Sequence, residues 1–169
     1  LNSGDSHAVD GEFNSMNAFW YTLDAQGQAR HLGDRFLMHP PWKDEGAGIG
    51  YTYMEFDVPL QEVGNAIFEA GVQMASAENA RVSDGVVFKF FIWEKGDDSK
   101  TGMVTQELHA KTASPLPVSL DIAKFEGKTV TIRIEAHPYE TVSNDSAVVV
   151  SPKVIQRKAS TDRSVTYTV

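Results

Sequence analysis

Between residues 129 and 136 the chain alternates apolar and polar side chains without a break, with Val130, Ile132 and Ile134 on one side and Thr131, Arg133 and Glu135 on the other. Successive side chains of an extended backbone point to opposite faces, so a period of two predicts a strand with one buried and one solvated face. The same reading holds for residues 51–58, with Met54, Phe56 and Val58 inward, and for 86–94, with Phe88, Phe90 and Ile92 on one side. Phe91 and Trp93 fall on the other side of that run, which reads as a strand covered on both faces, with Trp93 in the core. Residues 147–150 read as a buried strand and 164–169 as a closing one. Polar turns punctuate these runs at Ala25-Gln26-Gly27, 43–50, Gly96-Asp97-Asp98-Ser99, Ser114-Pro115 and Glu126-Gly127. Many short strands between polar turns predict an all-β, antiparallel β-sandwich. One segment carries both periods: Val63, Ile67, Ala70, Met74 and Ala77 recur at helical spacing, while Phe68, Ala70, Val72 and Met74 alternate. Gly64 and Gly71 weaken the helix, so a strand is expected there.

Chain length fits a single domain over residues 1–169, with the polar, glycine-containing residues 1–12 as a loosely ordered lead-in. The chain has no cysteine, which excludes a disulfide framework, a thiol nucleophile and a cysteine-rich zinc site. Fifteen Lys and Arg against 23 Asp and Glu give a formal charge of -8 and no basic footprint for nucleic-acid phosphates or an anionic membrane. The acidic surface makes neutral glycans easier partners than acidic ones. No apolar run approaches the ~18 to 20 residues that span a bilayer. The sequence begins at Leu1 with no charged and apolar leader, and is read as a segment of a longer exported protein.

Several short motifs then stand in a definite order: His39-Pro40-Pro41-Trp42, Ser83-Asp84-Gly85-Val86-Val87-Phe88, Leu120-Asp121-Ile122-Ala123-Lys124-Phe125-Glu126-Gly127-Lys128-Thr129-Val130, Asp145-Ser146-Ala147 and Pro152. Over residues 36–156 this order and spacing resembles the jelly-roll, galactose-binding-like (NPCBM-like) carbohydrate-binding modules appended to bacterial carbohydrate-active enzymes. The resemblance implies a jelly-roll topology, an extracellular, periplasmic or cell-surface location, a poly- or oligosaccharide ligand and a catalytic domain in the same parent chain. Modules of this type commonly read Asp-Trp-Ala with a second Trp nearby in the last loop and strand. Here Ser146 and Val149 occupy those positions, so the skeleton is kept without its aromatic pair.

In a sandwich of antiparallel strands every second connection returns to the same end. That places the connections around 36–50, 76–85, 111–117 and 137–146 together, with His39, Trp42, Asn79, Asp84, His137, Tyr139, Asn144 and Asp145 among them. A pyranose offers an apolar C–H face to an aromatic ring and a rim of hydroxyls to amides, carboxylates and imidazoles. The expected site therefore stacks sugar on Trp42 and Tyr139 while His39, Asn79, His137 and Asn144 bond hydroxyls. Each has a plainer alternative: Trp42 as a plug over the sandwich end, Tyr139 and His39 as loop packing, and Asp84 as an Asx turn bonding backbone.

Paired-His, His-Glu-x-x-His and EF-hand spacings are absent, which argues against catalytic zinc. The resemblance implies instead a structural calcium held by carboxylates and carbonyls from distant loops, with Asp10, Glu12, Asp84 and Asp145 as oxygen donors. Glu55 and Asp57 share a strand face but read as an ordinary solvent face, so no catalytic residue is expected. Two rivals stay open. One is an interaction sandwich packing on a catalytic module without binding glycan; the other is a small lyase or hydrolase built on Arg133, His137 and Tyr139.

Overall fold

The computed structural model describes residues 2–6, 22–23, 29–30, 35–40, 51–157 and 164–168, with side chains described over 35–40, 51–156 and 166–168. Twelve strands and one short helix follow one another: β1 (Asn2–Ser6), β2 (Thr22–Leu23), β3 (Ala29–Arg30), β4 (Arg35–Met38), β5 (Tyr51–Pro59), β6 (Ile67–Met74), α1 (Ala77–Val82), β7 (Val86–Glu94), β8 (Val104–Ala110), β9 (Leu116–Asp121), β10 (Thr129–Pro138), β11 (Ala147–Arg157) and β12 (Ser164–Thr168). They form a first sheet in the order β1-β5-β10-β7-β8 and a second in the order β12-β11-β6-β9, with β4 also paired to β11 and β2-β3 as a small ribbon. Every pairing is antiparallel. From β5 onward the chain passes back and forth between the sheets, with β5, β7, β8 and β10 in the first and β6, β9 and β11 in the second. This is the jelly-roll plan expected from the sequence.

The period of two decides which side chains meet. Phe88, Phe90 and Ile92 of β7, Ile132 and Ile134 of β10 and Met54 of β5 face Phe68, Val72 and Met74 of β6, all within one buried cluster. Phe68 and Phe90 touch across the two sheets at 5.9 Å between ring centroids and 48° between planes, a tilted pairing that aromatic quadrupoles favour. The ambiguous segment is a strand where alternation places it. Helix enters only after it, where Ser76 accepts the Asn79 backbone N–H at 3.0 Å and caps α1.

Two differences from the sequence reading have physical causes. Asn2–Ser6 is not a loose lead-in: it pairs with β5 from Asn2 opposite Glu55 to Ser6 opposite Tyr51. Ladder hydrogen bonds use only the backbone, so a polar segment can complete an open edge as well as an apolar one. Pro152 lies within β11, where a proline removes a ladder donor. The register shifts between Val150 and Lys153, and Ser151 takes φ +47°, so the proline sits in a bulge. Along that edge β4 pairs before the bulge, with residues 147–150, and β12 after it, with residues 153–157. Pro117, opposite Gly71, is on β9, an outer strand of its sheet.

Gly85, just before β7, has φ +102°, and a Cβ there would collide with His109 Nε2 and stand 2.7 Å from the Ala110 carbonyl oxygen. His109 cannot swing aside freely, because its Nε2 bonds the Asp84 carbonyl at 3.0 Å and its ring stacks on Tyr139. Gly85→Ala therefore combines a left-handed backbone with a clash. It is expected to cost about 3 kcal/mol, or about 6 to 12 °C in Tm, read by calorimetry. A melting temperature unchanged within error would contradict this account of the turn.

Candidate functional site

The outward side chains of the first sheet line up across strands in four rows. Asp57, Thr131 and Trp93 form the first; Glu55, Arg133, Phe91 and Thr105 the second; Tyr53, Glu135, Lys89 and Glu107 the third; His137, Val87 and His109 the fourth. A cleft of about 370 Å³ opens over the first three rows, with Tyr51, Phe91 and Trp93 presenting rings and the β7–β8 connection supplying Lys100 and Met103. Trp93 thus corrects the core assignment. Phe88, Phe90 and Ile92 already fill the inner face of β7, and alternation sends Trp93 outward, where Lys100 Nζ lies 5.1 Å from its ring centroid.

Arg133 organises the polar floor. Its Nε donates to Glu135 Oε2 at 2.7 Å, its Nη1 to Glu55 Oε1 at 2.6 Å and its Nη2 to the Tyr51 hydroxyl at 3.1 Å. Its guanidinium carbon also lies 3.9 Å from the Tyr53 ring centroid, a close cation–π contact. His137 Nε2 shares a 2.8 Å hydrogen bond with the other Glu135 oxygen, and its ring stacks on Tyr51 at 4.6 Å. Burial works against the charge on both central groups. Hydrogen bonds from His137 and Arg133 nevertheless hold the Glu135 carboxyl below the usual range, and those to Glu135 and Glu55 push Arg133 up. The side chains of Arg133 and Glu135 are 19% and 10% exposed, so this network is fixed, charged and partly shielded from water.

Among the described residues, three of the four connections expected at one end, around 76–85, 111–117 and 137–146, gather there, and residues 41–50 of the other lie outside them. Asn79 Nδ2 donates to the Asn144 carbonyl at 3.0 Å, Gln73 Nε2 to that of Ala113 at 3.0 Å, and Ala75 N to that of Ser146 at 2.8 Å. Thr52 Oγ1 bonds the His39 carbonyl. Asn79 is thereby engaged in holding two loops together, and Asn144, at φ +63°, shapes its turn. Tyr139 is 54% exposed and stacks on His109 at 4.3 Å. Of the trio Arg133, His137 and Tyr139, the structure joins the first two through Glu135; the tyrosine ring beside them is that of Tyr51. Trp42, Asp10 and Glu12 lie outside the described residues.

Asp84 and Asp145 share this end. Asp84 Oδ2 accepts the backbone N–H groups of Glu140 at 3.0 Å and Thr141 at 2.9 Å, and Asp145 Oδ1 accepts the Ser83 hydroxyl. Asp145 is 0% exposed. The second oxygen of each carboxylate, Asp84 Oδ1 and Asp145 Oδ2, is buried with no hydrogen-bond partner. Burial pushes the Asp145 carboxyl up to about 7; the Ser83 bond opposes this and the Asp84 charge adds to it. Two orphaned carboxylate oxygens, on groups near enough for the Asp84 charge to act on Asp145, are hard donors of the kind calcium takes. Among the described residues no group of three or more His, Cys, Asp or Glu gathers.

No family model matches the sequence, and no curated protein does. Among solved structures the chain is similar to one described as the structural basis for the promiscuous specificity of carbohydrate-binding modules from the β-sandwich superfamily, with TM-score 0.49 and 9% identity over 91% of this chain and 63% of that one. It spans less than two thirds of that structure's length. A mutant of xylanase 10C from Cellvibrio japonicus in complex with xylopentaose gives TM-score 0.45 and 14% identity over 95% of this chain and 28% of the other. TmCBM61 in complex with β-1,4-galactotriose gives 0.43 and 8% over 97% and 99%. The fold assignment rests on the chain's own strand pairing.

Proposed function

We propose that this domain is a non-catalytic carbohydrate-binding module that holds glycan on the outer face of its first sheet. The observation that carries the reading is the cleft itself: ring faces of Tyr51, Phe91 and Trp93 around a polar floor fixed by Arg133. The rings offer apolar faces to pyranose C–H groups, and the carboxylates and hydroxyls of the floor offer acceptors to sugar hydroxyls at fixed positions. An open site of this kind suits affinities of about 10⁻³ to 10⁻⁵ M, or about 4 to 7 kcal/mol. Tethering to a catalytic domain of an exported bacterial glycan-degrading protein would raise the effective concentration on a polymer. The rival packing module expects its aromatics covered, whereas Trp93, Tyr51 and Phe91 are only half-buried and line an opening.

Charge pairing on this face favours a neutral ligand. Arg133 lies between Glu55 and Glu135, Lys95 Nζ is 2.8 Å from Asp57 and Lys89 Nζ is 4.0 Å from Glu107. A uronate entering here meets cations already neutralised by these carboxylates. We further propose calcium between Asp84 and Asp145, where it would tie the residue 83–85 turn to the loop before β11 and leave the cleft chemistry to the side chains named above.

Affinity electrophoresis of the domain against arabinoxylan, β-1,4-galactan, glucomannan, mixed-linkage glucan and polygalacturonate tests the assignment, with reducing-end release as a turnover assay. Retardation by a neutral polymer without turnover is the expected result. Turnover would move the reading to a lyase or hydrolase, and no retardation by any polymer would overturn glycan binding.

A further inference from the structure

The ring-bearing surface does not end at the cleft. On the first sheet the outward positions of β7 are Val87, Lys89, Phe91 and Trp93, and the register places His109 of β8 beside Val87 and His137 of β10 on its other side. His109 carries the stacked Tyr139 ring at 4.3 Å, and His137 carries Tyr51 at 4.6 Å. The same face therefore presents Trp93 at one end of β7 and Tyr139 at the other, joined by Phe91, Tyr51 and the Arg133 network. From Val87 to Trp93 is six residues along one strand, or about 20 Å at the rise of an antiparallel strand. A monosaccharide covers only a fraction of that length.

We infer that the ligand is an extended glycan chain lying along β7, with one ring stacked at Trp93 and another at Tyr139. This inference rests on the glycan-binding reading. It assigns Tyr139 to the same site as Trp93, although one belongs to a loop after β10 and the other to the body of a strand. Three features support it. Tyr139 is the aromatic among the large hydrophobic side chains exposed in the described residues, at 54%. Its ring is backed by His109, which is pinned to the Asp84 carbonyl, so the platform is held without a ligand. On the β8 side the path is crossed by the Lys89–Glu107 pair, at 4.0 Å and with Glu107 65% exposed, which can move aside at little cost.

A chain that uses both ends binds differently from a short sugar that uses one. In isothermal titration with xylo-, cello-, manno- and β-1,4-galacto-oligosaccharides of two to six rings, the binding series should gain affinity with each added ring until both platforms are reached, at least tenfold in all. Tyr139→Ala should leave disaccharide affinity within twofold while cutting that of the hexasaccharide at least fivefold. Trp93→Ala should weaken both. Near-ultraviolet circular dichroism and the melting temperature confirm that each variant is folded. An affinity that levels off at two rings, or a Tyr139→Ala variant that binds hexasaccharide like the parent, overturns the extended site while glycan binding stands. Absence of binding to every oligosaccharide and every polymer overturns both.

Discussion

Trp93→Ala should abolish most glycan binding while leaving the domain folded. The indole is half-buried on the outer face, at the end of a strand whose inner face is filled by Phe88, Phe90 and Ile92. Its removal opens no void between the sheets. What is lost is a large ring face for sugar C–H groups, and aromatic anchors of this kind contribute at least about 2 kcal/mol, or about 30-fold in Kd. Against a total of about 4 to 7 kcal/mol this takes the complex below the detectable range for most oligosaccharides. Lys100 lies over the same ring, so a sugar stacking on that side must displace it. Lys100→Ala consequently provides a built-in control: binding equal to or tighter than the parent is expected. Parent-like affinity in Trp93→Ala, measured by titration with the polymer that binds best, would falsify the placement of the site.

The second large effect concerns the buried pair Asp84 and Asp145. Burial raises the Asp145 carboxyl from its ordinary 3.8 to about 7, so without a cation the folded state holds a proton there below about pH 7. The sign follows from linkage. A carboxyl with a raised folded pKa stabilises the fold fully below its unfolded value, and that contribution is lost as pH rises through about 7. In chelator, Tm should fall between about pH 5 and about pH 8. Calcium at about 100 times its Kd should restore about 2.7 kcal/mol at the upper pH, a gain of about 5 to 10 °C. Asp145→Asn removes the charge that both effects share, so it should flatten the pH profile and erase the calcium response together. Superimposable melts with calcium and with chelator at about pH 8 would overturn calcium binding here and leave the pH dependence to Asp145.

Much of this fold was legible because alternation is a local property. Val130, Ile132 and Ile134 had to share a face whatever their neighbours were, and Phe68, Val72 and Met74 settled their strand against a competing helical spacing for the same reason. The gathering of the 76–85, 111–117 and 137–146 connections at one end follows from antiparallel topology alone. The cleft was less legible, because it depends on register. Nothing in the sequence states that Arg133 stands opposite Glu55 on one side and Phe91 on the other. The available signal is that three runs each carry aromatic or charged residues on the face opposite their core positions, Phe91 and Trp93 among them. Alternation alone does not tell an indole that faces a core from one that faces out, and only the strand order shows that no layer covers Trp93 among the described residues. The role of Tyr51 was invisible for a similar reason: its partners, Arg133 and His137, are 82 and 86 positions away in sequence.

A sheet edge is a row of open hydrogen-bonding groups, and any other extended chain can read it as a place to join. On β9, Pro117 interrupts that row with a residue that has no N–H to give, and Pro115 stands just before the strand. On β11 the bulge at Pro152 gives one edge two short partners instead of one long exposed run. Crowded side by side on a polymer, many copies of such a domain would meet edge to edge. On the second sheet these prolines leave them little to zip together with, so density on a surface need not become fibre through that sheet.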